Sequence, residues 1–221
     1  MDISSYFLLF IIYSNLGWLM EVTLKSIELK KFINRGFLIG PICPIYGYGC
    51  LLIIILLKNF TSNIVLLFFS SVIICSILEY LTSYIMEKLF KARWWDYSRR
   101  KYNINGRICL NTMIPFGLLG CLMMYVVNPF LESKLLLIDP KVRLILAITL
   151  FIIYMIDNIL SFRLMFKISK TIKKIALDNT EEITKKVKEA ILSKSYLYRR
   201  IIESFPDLKA YFKKVRKTIT K

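Results

Sequence analysis

Four carboxylates lie in, or directly at the end of, stretches of sequence that are otherwise apolar enough to cross a membrane, and they are the residues best suited to do chemistry. They are Glu21, Glu79, Glu87 and Asp157. Each shares a helical face with other polar side chains; Ser83, for example, lies four residues from both Glu79 and Glu87. An ionised side chain at mid-bilayer costs about 2.5–3.5 kcal/mol even on the mildest scale. A carboxylate kept at that depth is therefore a candidate for binding a cation or carrying a proton.

Basic residues beside the apolar stretches are the natural partners of these carboxylates. Arg35 precedes the second stretch, Arg107 opens the fourth and Arg163 lies in the fifth. Because an unpaired buried charge costs far more than a paired one, we expect the carboxylates to pair with these arginines. Asp96 lies in an aromatic run beside basic residues, which is typical of the lipid headgroup layer; the alternative is that Asp96 orients Arg107 or Arg35 as a gate.

Simpler roles stay open for three of the carboxylates. Glu21 and Glu87 are also explained as interfacial charges at helix ends, and Asp157 as a structural partner of Arg163. Glu79 is different, because about eight residues, or about 12 Å of helix rise, separate it from the end of its apolar stretch. The sequence therefore favours Glu79 most strongly as a residue that lines a polar cavity.

Tyr46 lies in a segment, residues 36–49, that contains four glycines and two prolines. Pro41 and Pro44 each remove a helix N–H donor. Carbonyl groups freed at membrane depth are tolerated only against protein or a water-filled cavity. The segment predicts a broken helix at a binding site, with Tyr46 beside it; a simple proline kink is the alternative.

Several chemistries are excluded or disfavoured by composition. The sequence contains no histidine, which excludes imidazole catalysis and histidine metal ligation. The five cysteines form no Cys-x-x-Cys pair and are expected to be small packing residues. We predict no cofactor, and whether the carboxylates bind a metal or titrate protons stays open.

The elements that position these residues are predicted to be membrane helices. The chain has 221 residues, of which 56% are hydrophobic, and yet it carries a net charge of +17. That combination disfavours a soluble enzyme, a disordered protein and a secreted disulfide scaffold. Five stretches are long enough to span about 30 Å of hydrocarbon. They are Ser4–Val22, Leu38–Leu57, Ile64–Met86, Ile108–Phe130 and Val142–Phe166.

The distribution of basic residues predicts the orientation of these helices. The segments Thr23–Phe37, Glu87–Arg107 and Ile168–Lys221 carry four, seven and fifteen Lys or Arg residues, whereas the segments on the opposite side carry none, one and three. Cytoplasmic loops hold the excess of basic residues, so the N-terminus is predicted outside and the C-terminus in the cytoplasm. We thus expect an all-α, polytopic membrane protein whose carboxylates lie in its cytoplasmic half.

The chain is predicted to have two regions, a transmembrane domain at residues 1–167 and a basic helical cytoplasmic tail at residues 168–221. Ile183, Val187 and Ile191 recur every four residues and predict an amphipathic helix in the tail. The tail is expected to contact anionic lipid headgroups, with a docking surface for a protein partner as the alternative. A nucleic-acid partner is not expected, because acidic residues interrupt the basic ones and no recognition motif accompanies them.

The same polar segments resemble one protein family. They read Gly17-Trp-x-x-Glu21, Asn34-Arg-Gly-Phe-Leu-x-Gly-Pro-x-Cys-Pro-Ile-Tyr-Gly47, Glu79-Tyr-x-Thr-Ser83, Trp94-Trp-Asp-Tyr-Ser98 and Asn105-Gly-Arg-Ile-Cys-Leu110. Together they are similar to the bacterial membrane family catalogued as putative ABC-transporter type IV, over roughly Ser5–Phe166. The resemblance implies a permease-like subunit of a transport system in the bacterial plasma membrane.

Three functions are weighed on these grounds. A permease subunit would need a separate ATPase, docked on Glu87–Arg107 or on the tail, because the chain has no Gly-x-x-x-x-Gly-Lys-Ser/Thr loop. Its carboxylates favour a cationic or zwitterionic substrate, or proton coupling. The alternatives are an intramembrane enzyme acting on a lipid or polyprenyl phosphate from the cytoplasmic side, and a non-catalytic scaffold or sensor. We lean away from an enzyme, because no catalytic spacing is diagnostic.

Overall fold

A computed structural model of the protein describes residues 1–90, 93–177 and 200. Most of the predicted tail therefore lies outside the described residues. The described part is mainly helical. Its helices are α1 (Ile3–Leu29), α2 (Pro44–Leu57), α3 (Ile64–Phe90), α4 (Leu110–Leu122), α5 (Asn128–Leu136) and α6 (Pro140–Leu177). A 3-10 turn at Lys58–Phe60 extends α2, and a π-helical turn at Met123–Val127 joins α4 to α5 into one continuous rod.

The described helices include four that are long and apolar enough to cross a membrane. They are Ile3–Leu29, Ile64–Phe90, Leu110–Leu136 and Pro140–Lys170. A shorter apolar helix covers Pro44–Phe60, which corresponds to about 25 Å of helix rise. A mainly helical chain with several helices able to cross a membrane is therefore confirmed, whereas five full spans and their orientation stay predictions.

The second apolar stretch differs from its predicted bounds, because its helix begins at Pro44 and not at Leu38. Pro44 occupies the first turn, where a missing N–H leaves no hydrogen bond unmade. The residue before a proline is disfavoured in the α conformation, so the helix cannot extend back through Cys43. Residues 30–43 form an irregular connection instead.

Polar side chains cap the N-termini of α1, α3 and α6. Asp2 accepts a hydrogen bond from the Ser5 amide at 3.0 Å and begins α1. Asn63 accepts hydrogen bonds from the first amides of α3, and Asp139 accepts one from the Lys141 amide at 2.8 Å at the start of α6. These caps satisfy N–H groups that have no partner within the helix.

The helices pack as a bundle in which α1 contacts α2 and α6, and α3 contacts α2 and α4. The α1–α2 contact depends on Gly17, because a Cβ there would lie 2.2 Å from the ring of Tyr46. Small residues at such crossings let helix backbones approach closely in a membrane. The end of the bundle that holds Leu29, Phe90 and Leu110 is called the inner end below, and it is the predicted cytoplasmic end.

Candidate functional site

The irregular connection at residues 30–43, called the entry segment below, folds back into the inner end of the bundle. Leu38 is completely buried. The ring of Phe37 packs against those of Phe90, Trp94 and Phe162, with centroids 5.0–5.8 Å apart. Apolar burial thus holds the part of the segment around Leu38 inside the protein, and the backbone N–H and C=O groups there need partners other than water.

Asp157 of α6 supplies partners for two of these N–H groups. Its two oxygens accept hydrogen bonds from the amides of Ile39 and Gly40, each at 2.8 Å, and the Ser161 hydroxyl donates to it at 3.0 Å. In the described part of the chain Asp157 and Arg163 form no ion pair. The carboxylate therefore holds the entry segment, and sequence reasoning missed this role because it considered only side-chain partners.

Glu21 of α1 lies between the entry segment and α2. Its Oε2 is 2.9 Å from Nε of Arg35, and its Oε1 accepts a hydrogen bond from the hydroxyl of Tyr46 at 2.6 Å. The predicted pairing with Arg35 is confirmed. The indole of Trp18 donates to the Asn34 side chain at 2.9 Å, which fixes the chain next to Arg35.

Glu87 near the end of α3 is the centre of a second charged group. Its Oε2 lies 2.8 Å from Nη2 of Arg107 and 3.0 Å from Nε of Arg93. The pairing with Arg107 is the one expected from the sequence. Arg107 also donates to the hydroxyl of Ser83 at 3.3 Å, and its guanidinium lies 5.4 Å from the ring centre of Tyr84. The guanidinium of Arg107 is therefore fixed by an ion pair, a hydrogen bond and an aromatic ring.

A short hairpin positions Arg107. Its strands are β1 (Asn103–Ile104) and β2 (Ile108–Cys109), and the turn between them contains Asn105 and Gly106 at φ +52° and +68°. Asn-Gly is the pair that accepts positive φ at two successive positions. A Cβ at Gly106 would also lie 2.6 Å from Oδ1 of Asp96, so glycine is required for both reasons.

Asp96 contacts Ser98 and Arg93, and its role in a gate stays a prediction. Its Oδ1 accepts a hydrogen bond from the Ser98 amide at 3.0 Å and lies 3.5 Å from Nη1 of Arg93. The indole of Trp95 donates to the backbone carbonyl of Arg107 at 2.9 Å and so fixes the chain at this residue.

Glu79 in the inner half of α3 is the least satisfied carboxylate of the set. It is 7% exposed, and its Oε1 accepts a hydrogen bond from the hydroxyl of Tyr97 at 3.3 Å. Its Oε2 is buried and accepts no hydrogen bond from any described residue. Burial, and next the negative charge of Glu79, raise the pKa of Tyr97, so this phenol keeps its proton and remains a donor.

The carboxylates therefore fall into three groups at the inner end. Glu21 and Glu79 are close enough for their charges to interact, and Tyr46 and Tyr97 contact them. Glu87 and Asp157 each belong to a separate group. Among the described residues no three His, Cys, Asp or Glu side chains are arranged to hold a metal ion.

One comparison with known proteins gives a match. The model of a protein family described as putative ABC-transporter type IV matches residues 8–162. The matched residues include every group described above. No curated protein and no solved structure matches the chain significantly.

Proposed function

Since this chain belongs to the putative ABC-transporter type IV family, we propose that it is the permease-like subunit of a transport system in the bacterial plasma membrane. In this proposal the inner end faces the cytoplasm, and the polar groups around Glu21 and Glu79 bind a cationic group or a proton during transport. The family and the apolar helices support a multi-pass membrane protein with a possible ATPase partner.

The observation that carries the proposal is the buried Oε2 of Glu79, which accepts no hydrogen bond from the part of the chain that the structure describes. A buried acceptor without a partner costs roughly 1–3 kcal/mol, and more if it is charged. Glu21, Glu87 and Asp157 have donors on the oxygens described above, and Glu79 has one on Oε1 alone. A proton or a ligand N–H group at Oε2 would remove this penalty, so Glu79 is the proposed point of contact with the transported species.

An ATPase partner would supply the energy, because the chain contains no phosphate-binding Gly-x-x-x-x-Gly-Lys-Ser/Thr loop. The hairpin region between α3 and α4 offers a surface for it. Arg99, Arg100 and Lys101 are exposed there, and Tyr102 is 80% exposed. An exposed basic and aromatic surface at the predicted cytoplasmic end suits docking of an acidic face of another protein.

Purification of the tagged chain from its native membranes tests the partner. An ATP-hydrolysing protein that carries the phosphate-binding loop should co-purify, and Arg99→Glu with Lys101→Glu should reduce its recovery at least tenfold. Lys58→Glu, at the opposite end of the bundle, is the matched control and should retain it. Equal recovery with all variants, or no such ATPase, would contradict the proposal.

The same preparation tests the site. Glu79→Gln should retain the ATPase and lower its turnover about tenfold or more, whereas Glu28→Gln, an exposed carboxylate on α1, should leave turnover unchanged. Unchanged turnover in Glu79→Gln would refute the assigned role of this residue. Lipid turnover by the chain alone, abolished in Glu79→Gln, would instead establish the intramembrane enzyme.

A further inference from the structure

The entry segment has two polar sides. Two of its N–H groups face the carboxylate of Asp157. On its other side the carbonyl oxygens of Gly36, Leu38 and Ile39 converge on one positively charged group, the guanidinium of Arg200. These three oxygens are called the carbonyl site below.

The contacts of the carbonyl site are those of a cation site. Nη1 of Arg200 donates to the Ile39 carbonyl at 3.0 Å, and Nη2 donates to the Gly36 carbonyl at 2.9 Å and also to the Leu38 carbonyl. Arg200 is only 6% exposed. Converging carbonyl oxygens replace the hydration shell of a cation, and oxygens set around a fork of N–H donors suit a guanidinium or a primary ammonium.

Arg200 does not belong to the local fold of the entry segment. It follows Ile39 by 161 residues and comes from the far end of the chain. Asp157 accepts hydrogen bonds from the amides of Ile39 and Gly40, and Leu38 is completely buried, so contacts other than those of Arg200 also hold the entry segment. An occupant that arrives from a distant segment can in principle be exchanged for a free ligand of the same chemistry.

The carbonyl site also borders the proposed transport site. Arg35 directly precedes Gly36 in the chain, and its Nε lies 2.9 Å from Oε2 of Glu21. Glu21 in turn interacts with Glu79. A cation leaving the carbonyl site would therefore have carboxylates close by.

We propose that the carbonyl site binds a guanidinium or primary ammonium group and that Arg200 is its tethered occupant, which a free cation of this class must displace. This names a substrate class for the proposed function, and it rests on that function only for the step from bound ligand to transported substrate. A tethered group has an effective concentration in the millimolar range. A tethered competitor weakens the apparent binding of a free ligand by one plus the ratio of its effective concentration to its own dissociation constant, so a ratio of about ten gives a roughly tenfold effect.

Calorimetric titration of the purified full-length protein with methylguanidinium tests the proposal. Arg200→Ala should bind this probe about tenfold more tightly than the wild type. Arg199→Ala removes the same charge one residue earlier and should bind like the wild type. Tetramethylammonium, which is a cation without N–H donors, should bind to none of them.

A second measurement covers the case in which Arg200→Ala is unstable. Methylguanidinium should then restore its thermal stability towards that of the wild type, and tetramethylammonium should not. The proposal is overturned if Arg200→Ala shows neither tighter binding nor rescue, or if Arg199→Ala behaves identically. Neither assay involves an ATPase or transport, so failure here and failure of the proposed transport function are distinguishable.

Discussion

Replacing Asp157 by asparagine removes the charge that holds the entry segment and keeps the size of the side chain. In the structure the two carboxylate oxygens accept amide hydrogen bonds at 2.8 Å from Ile39 and Gly40. Asparagine keeps one acceptor oxygen and turns an NH2 group towards the other amide. Hydrogen bonds to a charged group contribute about 1.5–3 kcal/mol, and a buried unsatisfied donor costs about 1–3 kcal/mol. We therefore expect the free energy of unfolding to fall by about 2–4 kcal/mol.

Unfolding by SDS in mixed micelles measures this change, with tryptophan fluorescence as the readout. Trp18 donates to the side chain of Asn34 in the entry segment, so its emission should respond when that segment detaches. The matched control is Thr149→Val on the same helix. Thr149 is exposed and bonds only to its own helix backbone among the described contacts, so this change should stay within about 0.5 kcal/mol.

The outcome separates a structural from a purely ligand-binding role for Asp157. A ligand-binding carboxylate with no structural partners would leave stability unchanged, or raised, when its charge is removed. If Asp157→Asn unfolds within about 0.5 kcal/mol of the wild type, as Thr149→Val should, the amide contacts do not hold the entry segment and the argument from geometry fails.

Three further predictions concern other parts of the bundle. Arg107→Ala should lower the free energy of unfolding by about 3–5 kcal/mol, because Glu87 loses its closest partner, and a double-mutant cycle with Glu87→Gln should give a coupling of about 0.5–3 kcal/mol in the same SDS assay. Gly17→Ala should reduce thermal stability, because the added Cβ would lie 2.2 Å from the ring of Tyr46. Gly49→Ala is the control and should be tolerated, because the nearest atom to its Cβ would be 3.6 Å away. Hydrogen bonds from the side chain and the backbone amide of Ser5 lower the pKa of Asp2 from 3.8 to about 2. The lowered value means that the cap's contribution to stability is present above pH 3.8 and is lost as the pH falls through 2, and ¹³C chemical shifts of labelled Asp2 should give that midpoint.

Much of the architecture was predictable because lipid restricts backbone structure. Open backbone groups cannot be satisfied in hydrocarbon, so long apolar stretches must be helices. The stretch predicted at Ile64–Met86 corresponds to α3, which ends four residues later. The pairs Glu21–Arg35 and Glu87–Arg107 were also predictable, since a carboxylate near the bundle interior needs a cationic partner.

Other features depend on partners that a sequence does not reveal. The contact of Asp157 with backbone amides requires that residues 38–43 are not helical and that they meet the middle of α6. The prolines indicated a possible break but not its depth or neighbours. Similarly, the contact of Tyr97 with Glu79 depends on how the segment before the hairpin folds over α3, which the sequence did not indicate.

Non-helical backbone at membrane depth is unfavourable, and the contacts of the entry segment give a reason for its presence. A helix in its place would satisfy its own amides and carbonyls and would leave no backbone group for another molecule. Here an acidic side chain binds the N–H groups, and this leaves the carbonyl oxygens of Gly36 and its neighbours directed towards a cation. A binding site for a charged group needs a fixed backbone, which Asp157 supplies here, and polar groups whose bound cation can be exchanged, which are the carbonyl oxygens. The affinity of Arg200 for these oxygens then sets the factor by which the concentration of a competing cation must exceed its own dissociation constant to fill the site.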